Sequence, residues 1–224
     1  MNRKNKKIWF FGIGKFGMSV IDKIIKETDF ELELVDKDST PLENYKHENI
    51  SLNLLNSEQK NALEDLGINT EDTVLISMGS NLRSSILTCQ NLLDIGIEKI
   101  YVRVVDERHE RIMKSIGIDE KYIIRPYKIA SDNCVYKMTY DFDVFVIDKE
   151  SDYLILRIIN NKVNNKTLKD LKLNKKDIHV LLLTPNGEIN SIIPEGETKI
   201  NLGDTLSIVT KNKNKRQISK IFYS

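Results

Sequence analysis

Gly12-Ile13-Gly14-Lys15-Phe16-Gly17 stands between an apolar run, Lys6–Phe11, and a stretch, Lys15–Lys26, in which Phe16, Val20, Ile24 and Ile25 share one side at helical spacing. Strand, glycine-rich turn and helix in that order give a GxGxxG pattern its full local context. Gly12 permits the tight turn. Gly14, lacking a side chain, lets the backbone approach a pyrophosphate closely, and Gly17 lets the helix pack against the sheet. The free amides and dipole of the helix start favour phosphate. Asp36 follows Gly17 by 19 positions, at the end of the next strand candidate, Glu31–Val35. A carboxylate there accepts hydrogen bonds from a ribose diol and repels a 2′-phosphate, which disfavours NADP. The competing reading is a turn whose glycines serve packing alone. Lys15 has two readings, a point charge reaching a β- or γ-phosphate or a solvated first-turn lysine.

Outward from this turn, strands alternate with helices. Ile50–Leu54, Thr73–Ser77, Lys99–Val104 and Tyr122–Ile124 read as strands. Ser39-Thr40-Pro41 reads as a helix cap with Pro in the first turn, and Asn56 or Ser57 as the cap of a helix ending near Gly67. Further helices are expected over about Ser80–Ile95, Glu107–Ile116 and Lys128–Tyr140. This rhythm predicts βαβ crossovers. Beyond Pro126 it changes to short strands at Phe142–Ile147, Tyr153–Ile159, Ile178–Leu183, Ile189–Ile193 and Thr205–Val209. A brief helix is expected at Thr167–Leu171 and a terminal one at Asn212–Phe222, with Pro185-Asn186-Gly187 and Gly203-Asp204 as turns. The expected fold class is α/β: a Rossmann-like parallel sheet with helices on both faces, then a small α+β C-terminal domain. The boundary is expected near residue 140, giving domains 1–140 and 141–224.

The chain has 224 residues, 34 Lys+Arg against 33 Asp+Glu, and a net charge of +1. A duplex binder would carry a basic excess, so no nucleic-acid partner is expected. No apolar stretch approaches a membrane span, and the run behind the basic start is too short for a signal-peptide core. Cys89 and Cys134 form no CxxC pair and read as buried reduced thiols. Alanine occurs only at Ala62 and Ala130, while Asn, Ile and Lys abound. That bias is read as an AT-rich genome rather than as function.

A dehydrogenase needs a proton donor or acceptor beside its nicotinamide. His47, His109 and His179 do not end a strand candidate next to the glycine loop, and each reads as a surface or interface residue. No Tyr is followed four residues later by Lys, and GxSxG and HExxH are absent. No catalytic or metal-binding residue is therefore assigned. The nucleotide reads as a signal rather than a reactant. A nicotinamide-dependent oxidoreductase and a redox-sensing transcription regulator are the rival readings.

In order and spacing these features resemble the RCK family (regulator of K+ conductance), and the chain from Lys6 to Val209 is similar to regulatory subunits of Ktr/Trk-type bacterial potassium-uptake systems. The likeness rests on the glycine loop, Asp36, Asn56-Ser57, Met78-Gly79-Ser80-Asn81, Tyr101-Val102-Arg103 and Ile116-Gly117-Ile118-Asp119. In the second domain it rests on Thr167-Leu168-Lys169-Asp170-Leu171, Asn186-Gly187-Glu188 and Leu202-Gly203-Asp204-Thr205-Leu206. It implies a cofactor-binding set of Gly12, Gly14, Lys15, Phe16, Gly17, Asp36, Asn56, Ser77, Gly79, Asn81 and Arg103. The implied regulatory ligand is ATP/ADP or NAD(H). The implied assembly is a homo-oligomer, a dimer at least that builds a ring as a tetramer or octamer, cytoplasmic and held to the inner membrane face by a membrane-embedded potassium-conducting subunit. Leu82, Ile86, Leu87, Leu92 and Leu93, with the helix at Glu107–Ile116, are the interface candidates. Three positions depart from or extend the pattern. Lys15 stands where relatives often carry Arg, which forfeits a bidentate fork. Tyr127, after Pro126, stands where relatives often carry a Glu near a divalent ion. Asn174, beside Lys175 and Lys176, matches the place where some relatives bind cyclic di-AMP.

Overall fold

The computed structural model describes residues 7–79, 81–148 and 152–223. Contacts divide the chain into two compact units, 1–129 and 130–224. The first runs β1 (Ile8–Phe11), α1 (Lys15–Glu27), β2 (Leu32–Asp36), α2 (Ser39–Leu42), β3 (Ile50–Leu54), α3 (Lys60–Glu64), β4 (Thr73–Ile76), α4 (Leu82–Asp94), β5 (Ile100–Arg103), α5 (Glu107–Ser115) and β6 (Ile123–Ile124). The strands form one sheet in the order β3-β2-β1-β4-β5-β6, every pairing parallel. Strand order reverses between β1 and β4, and a crevice opens at their carboxyl ends, the usual ligand position in open α/β sheets.

Alternation along β1 fills both faces. Phe10 packs with Ile21 of α1 and Leu42 of α2, while Trp9 and Phe11 pack with Cys89 and Leu92 of α4 and Met113 of α5. The Trp9 indole donates to the buried Asp72 carboxylate at 3.0 Å. Asp72 also accepts the Lys7 and Asn69 amides, so its charge is met by three donors. This is the far end of the sheet from the glycine loop.

The second unit starts inside α6 (Pro126–Thr139) and continues through β7 (Asp143–Asp148), β8 (Tyr153–Ile159), β9 (Lys166–Thr167), α7 (Leu168–Leu171), β10 (Ile178–Thr184), β11 (Lys199–Ile200), β12 (Thr205–Lys211) and α8 (Lys215–Phe222). An antiparallel sheet runs β10-β12-β8-β7, with a separate β11-β9 pair. Leu206 and Ile208 alternate inward along β12, and Ile218 and Phe222 of α8 join them in the core. Thr167 and Asp170 form a reciprocal capping box at the start of α7.

Several local expectations need correcting. Asp38, not Ser39, holds the cap position of α2. Asn56 accepts the Glu58 amide in a turn, and α3 begins later, after Gln59. Ile189–Ile193 is not a strand; among the described residues it contributes a single bridge, Leu183 to Ile192. Cys134 is exposed, whereas Cys89 is buried, and burial pushes its thiol up to about 12. His109 is fully buried rather than superficial. Among the described residues neither ring nitrogen has a partner, and burial lowers its pKa, offset in part by Asp106. Leu92 lies in its own core, leaving Leu82, Ile86, Leu87 and Leu93 half-buried on α4.

Candidate nucleotide cleft

The crevice at the strand ends is a cleft of about 750 Å³. Its first wall is the turn from β1 into α1. Gly12 sits at φ +83°, and a Cβ there would collide with Met78, so both conformation and space require glycine. Gly14 has ordinary extended backbone, and nothing lies within 4 Å of an added Cβ. The space it leaves open belongs to the cleft. Gly17 faces the sheet instead, where an added Cβ would stand 2.6 Å from Ser77 Oγ and 2.9 Å from the Gly12 carbonyl. Ser77 donates its hydroxyl to that same carbonyl, which ties the end of β4 to the loop. The first turn of α1 carries no acidic residue, and Gly14 supplies no side-chain cap. Its amides therefore face the cleft uncompensated.

The second wall is the end of β2. Asp36 Oδ2 accepts the Ile13 amide at 2.7 Å, and Oδ1 accepts the Asp38 amide at 3.0 Å. An ionised carboxylate has further acceptor positions, so capacity for a diol remains. Asn56 and Lys37 line the same side.

The third wall is cationic. Arg103, at the end of β5, stacks its guanidinium over the Phe16 ring, 5.1 Å from the centroid. Gly79 makes room for it, since a Cβ would meet Arg103 Nη1 at 2.6 Å. Arg103 Nε is buried without a partner among the described residues, and no carboxylate there pairs with this guanidinium. Asn81 caps α4 by accepting the Ser84 amide at 3.1 Å, bringing a second helix start to the cleft. A glycine-rich turn, two helix starts, exposed Lys15 and half-buried Arg103 converge on one crevice, and the Asp36 carboxylate is bonded to that turn. Phosphate on the helix starts and cations, with a ribose on the neighbouring carboxylate, suits that arrangement.

Of the residues singled out in the sequence, Gly12, Gly14, Lys15, Asp36, Asn56, Ser77, Gly79, Asn81 and Arg103 line the cleft. Phe16 lies under Arg103 and Gly17 behind the loop, so both support the cleft from outside its lining. Ser80 lies outside the described residues. Sequence reasoning missed Met78, Lys37 and Asp38; the last two could have been found from their adjacency to Asp36. No His or Tyr lines the cleft among the described residues. In the second unit, Asn174 lines a separate cleft of about 590 Å³ with Lys169, Lys172 and His179. Lys176 does not line it, and the Lys175 side chain lies outside those described.

Against known proteins, the chain is 28% identical over 92% of its length to "Uncharacterized protein MG323 homolog" of Mycoplasma pneumoniae, covering 89% of that protein. It is 26% identical over 94% of its length to "Ktr system potassium uptake protein A" of Bacillus subtilis, covering 94% of it. Among solved structures, the RCK domain of GsuK aligns with all of this chain and 49% of its own at TM-score 0.66 and 11% identity. The GsuK channel bound to NAD aligns with 99% of this chain and 40% of its own, at TM-score 0.64 and 11% identity. GsuK bound to ADP aligns with 61% of this chain and 35% of its own, at TM-score 0.52 and 13% identity. These structures share the fold. Residues 8–126, the parallel sheet with its glycine loop and cleft, match the TrkA-N domain, and the chain belongs to the TrkA-N domain family.

Proposed function

We propose that this chain is a nucleotide-sensing, non-enzymatic regulatory subunit of a bacterial potassium-uptake system, acting on a separate membrane-embedded potassium-conducting subunit. The observation that carries the reading is the cleft itself: a glycine loop with Asp36 bonded to it, and Arg103, which pairs with no carboxylate among the described residues. The family match and the potassium-uptake names of relatives support the rest. No described helix is long and apolar enough to cross a membrane, which agrees with a cytoplasmic subunit held at the inner face by its partner. Among the described residues no His or Tyr lines the cleft, which favours a sensed ligand over a hydride-transfer substrate.

The ligand is an adenine nucleotide, ATP/ADP or NAD(H). GsuK, which shares the fold, is known in structures bound to NAD and to ADP. The site residues are Gly12, Gly14, Lys15, Asp36, Asn56, Ser77, Gly79, Asn81 and Arg103, supported from behind by Phe16 and Gly17. The domains divide at 1–140 and 141–224, the second offering the Asn174 cleft to cyclic di-AMP. A homo-oligomer transmits the signal, with half-buried Leu82, Ile86, Leu87 and Leu93 at its interface. To act, the nucleotide must bind two assembly shapes with unequal free energy. The test is potassium flux through the co-reconstituted pore subunit. Flux that differs between ATP, ADP and NADH supports the reading, and flux indifferent to all three, with binding shown by calorimetry, refutes it.

A further inference from the structure

The C-terminal segment has an unusual charge distribution. Lys211, Lys213, Lys215, Arg216 and Lys220 fall within it, and no Asp or Glu follows Asp204. The folded second unit gathers part of this charge into a groove of about 510 Å³ between α6 and α8, lined by Tyr136, Thr139, Tyr140, Lys215, Arg216 and Lys220 among others. Lys215 is half-buried at its floor, with Nζ 4.5 Å from the Tyr136 ring centroid and 5.3 Å from that of Tyr140. Arg216 and Lys220 are exposed and one helical turn apart, so like charges share one face.

Other cations of the chain do find carboxylates: Arg125 and Lys114 pair with Glu110, Lys7 with Glu33, Lys169 with Glu197. Among the described residues Lys215, Arg216 and Lys220 make no ion pair. Asp152 acts on Lys215 only through space, and burial lowers the Lys215 pKa. Such a cluster costs stability in the free protein, through like-charge repulsion and a partly desolvated ammonium. An anion seated between the three cations would reverse that cost.

We propose that the groove between α6 and α8 is an anion site for a phosphate group, distinct from the nucleotide cleft and from the Asn174 cleft. Three cations on one concavity match a compact centre carrying more than one negative charge, which a phosphate is and a lone carboxylate is not. Arg216 supplies a planar fork, and Lys220 and Lys215 supply point charges. The phosphate has two sources, a free polyphosphate or the headgroup of an anionic lipid. The inference does not depend on the potassium reading.

The experiment is hydrogen–deuterium exchange on the full chain, with sodium tripolyphosphate in one arm and phosphatidylglycerol-containing vesicles in another. Pure phosphatidylcholine vesicles serve as control. Protection of residues 212–223 by tripolyphosphate assigns a free phosphate; protection by the anionic vesicles alone assigns the headgroup. The double variant Arg216→Glu, Lys220→Glu, altered at two exposed positions, should need about tenfold or more of the same probe for equal protection. No protection of 212–223 with either probe overturns the site, as does equal protection in the variant. Protection confined to residues 8–38 reports the nucleotide cleft and equally overturns it.

Discussion

Asp36 accepts the amide of Ile13 at 2.7 Å, so the acid placed to hold a ribose also fixes the glycine loop beside it. Replacing Asp36 by Ala removes a charged acceptor from both. Ribonucleotide binding should weaken by about 1–3 kcal/mol, and a 2′-deoxynucleotide should lose less. Calorimetry on matched ribo- and deoxyribonucleotides checks this; equal losses would assign the effect to the loop rather than to the sugar.

Gly14 and Gly17 should fail differently. Gly14 has an ordinary backbone conformation and open space around an added Cβ. Gly14→Asp should therefore leave the melting temperature nearly unchanged while abolishing nucleotide binding, because a carboxylate would occupy the phosphate position. Gly17→Ala drives a methyl against Ser77 Oγ and the Gly12 carbonyl, an overpacking that costs about 1–3 kcal/mol. Thermal melts with and without nucleotide separate the two behaviours.

Arg103 has a buried Nε without a partner and no carboxylate among the described residues. Arg103→Met keeps the contact with Phe16 and removes the charge. Affinity for a phosphate-bearing nucleotide should fall by about 1.5–3 kcal/mol, the range for hydrogen bonds to charged groups. Stability should hold or rise slightly, since an unmet donor is lost. Adenosine, lacking phosphate, should bind both proteins alike; a parallel loss for adenosine would refute the phosphate role.

Glu110 receives two hydrogen bonds from Arg125, each 2.6 Å, and an ion pair from Lys114 at 3.0 Å. Arg125 above all, with help from Lys114, holds its carboxyl down at about 2 against burial. A depressed folded-state pKa means the pair stabilises the fold above the ordinary glutamate range, from about pH 4.5 upward. That contribution fades as pH falls towards 2. Glu110→Gln should cost about 1–3 kcal/mol at neutral pH. The gap between variant and wild-type melting temperatures should close on acidification through that window. A gap independent of pH would show that charge is not what the pair contributes.

The first unit was largely legible because its central strands β1, β2 and β4 are buried apolar runs, and glycines punctuate the connections, while the exposed edge strand is still apolar at alternate positions. Ile50–Leu54 matches residue for residue, and Gly12 announces a turn that nothing else in the chain could make. Helix starts were less legible: Asn56 and Ser39 are good cap residues, yet Asn56 spends its side chain on a turn and Asp38 precedes Ser39. The Ile189–Ile193 run alternates like a strand, but Ile189 and Ile193 are almost wholly exposed, and pattern alone does not reveal whether a partner strand exists. Arg103 could be found as a basic residue ending β5. Its stacking on Phe16 and the clearance given by Gly79 could not, because they depend on three segments meeting.

Trp9 is the sole tryptophan of the chain, and its indole is fixed on Asp72 at the end of the sheet remote from the glycine loop. The protein thus carries one tryptophan fluorophore, inside residues 1–129, in a dry environment that changes when β1 leaves the core. Its emission is a clock for unfolding of the first unit. Melting of residues 130–224 passes unseen in that channel and is left to the tyrosines.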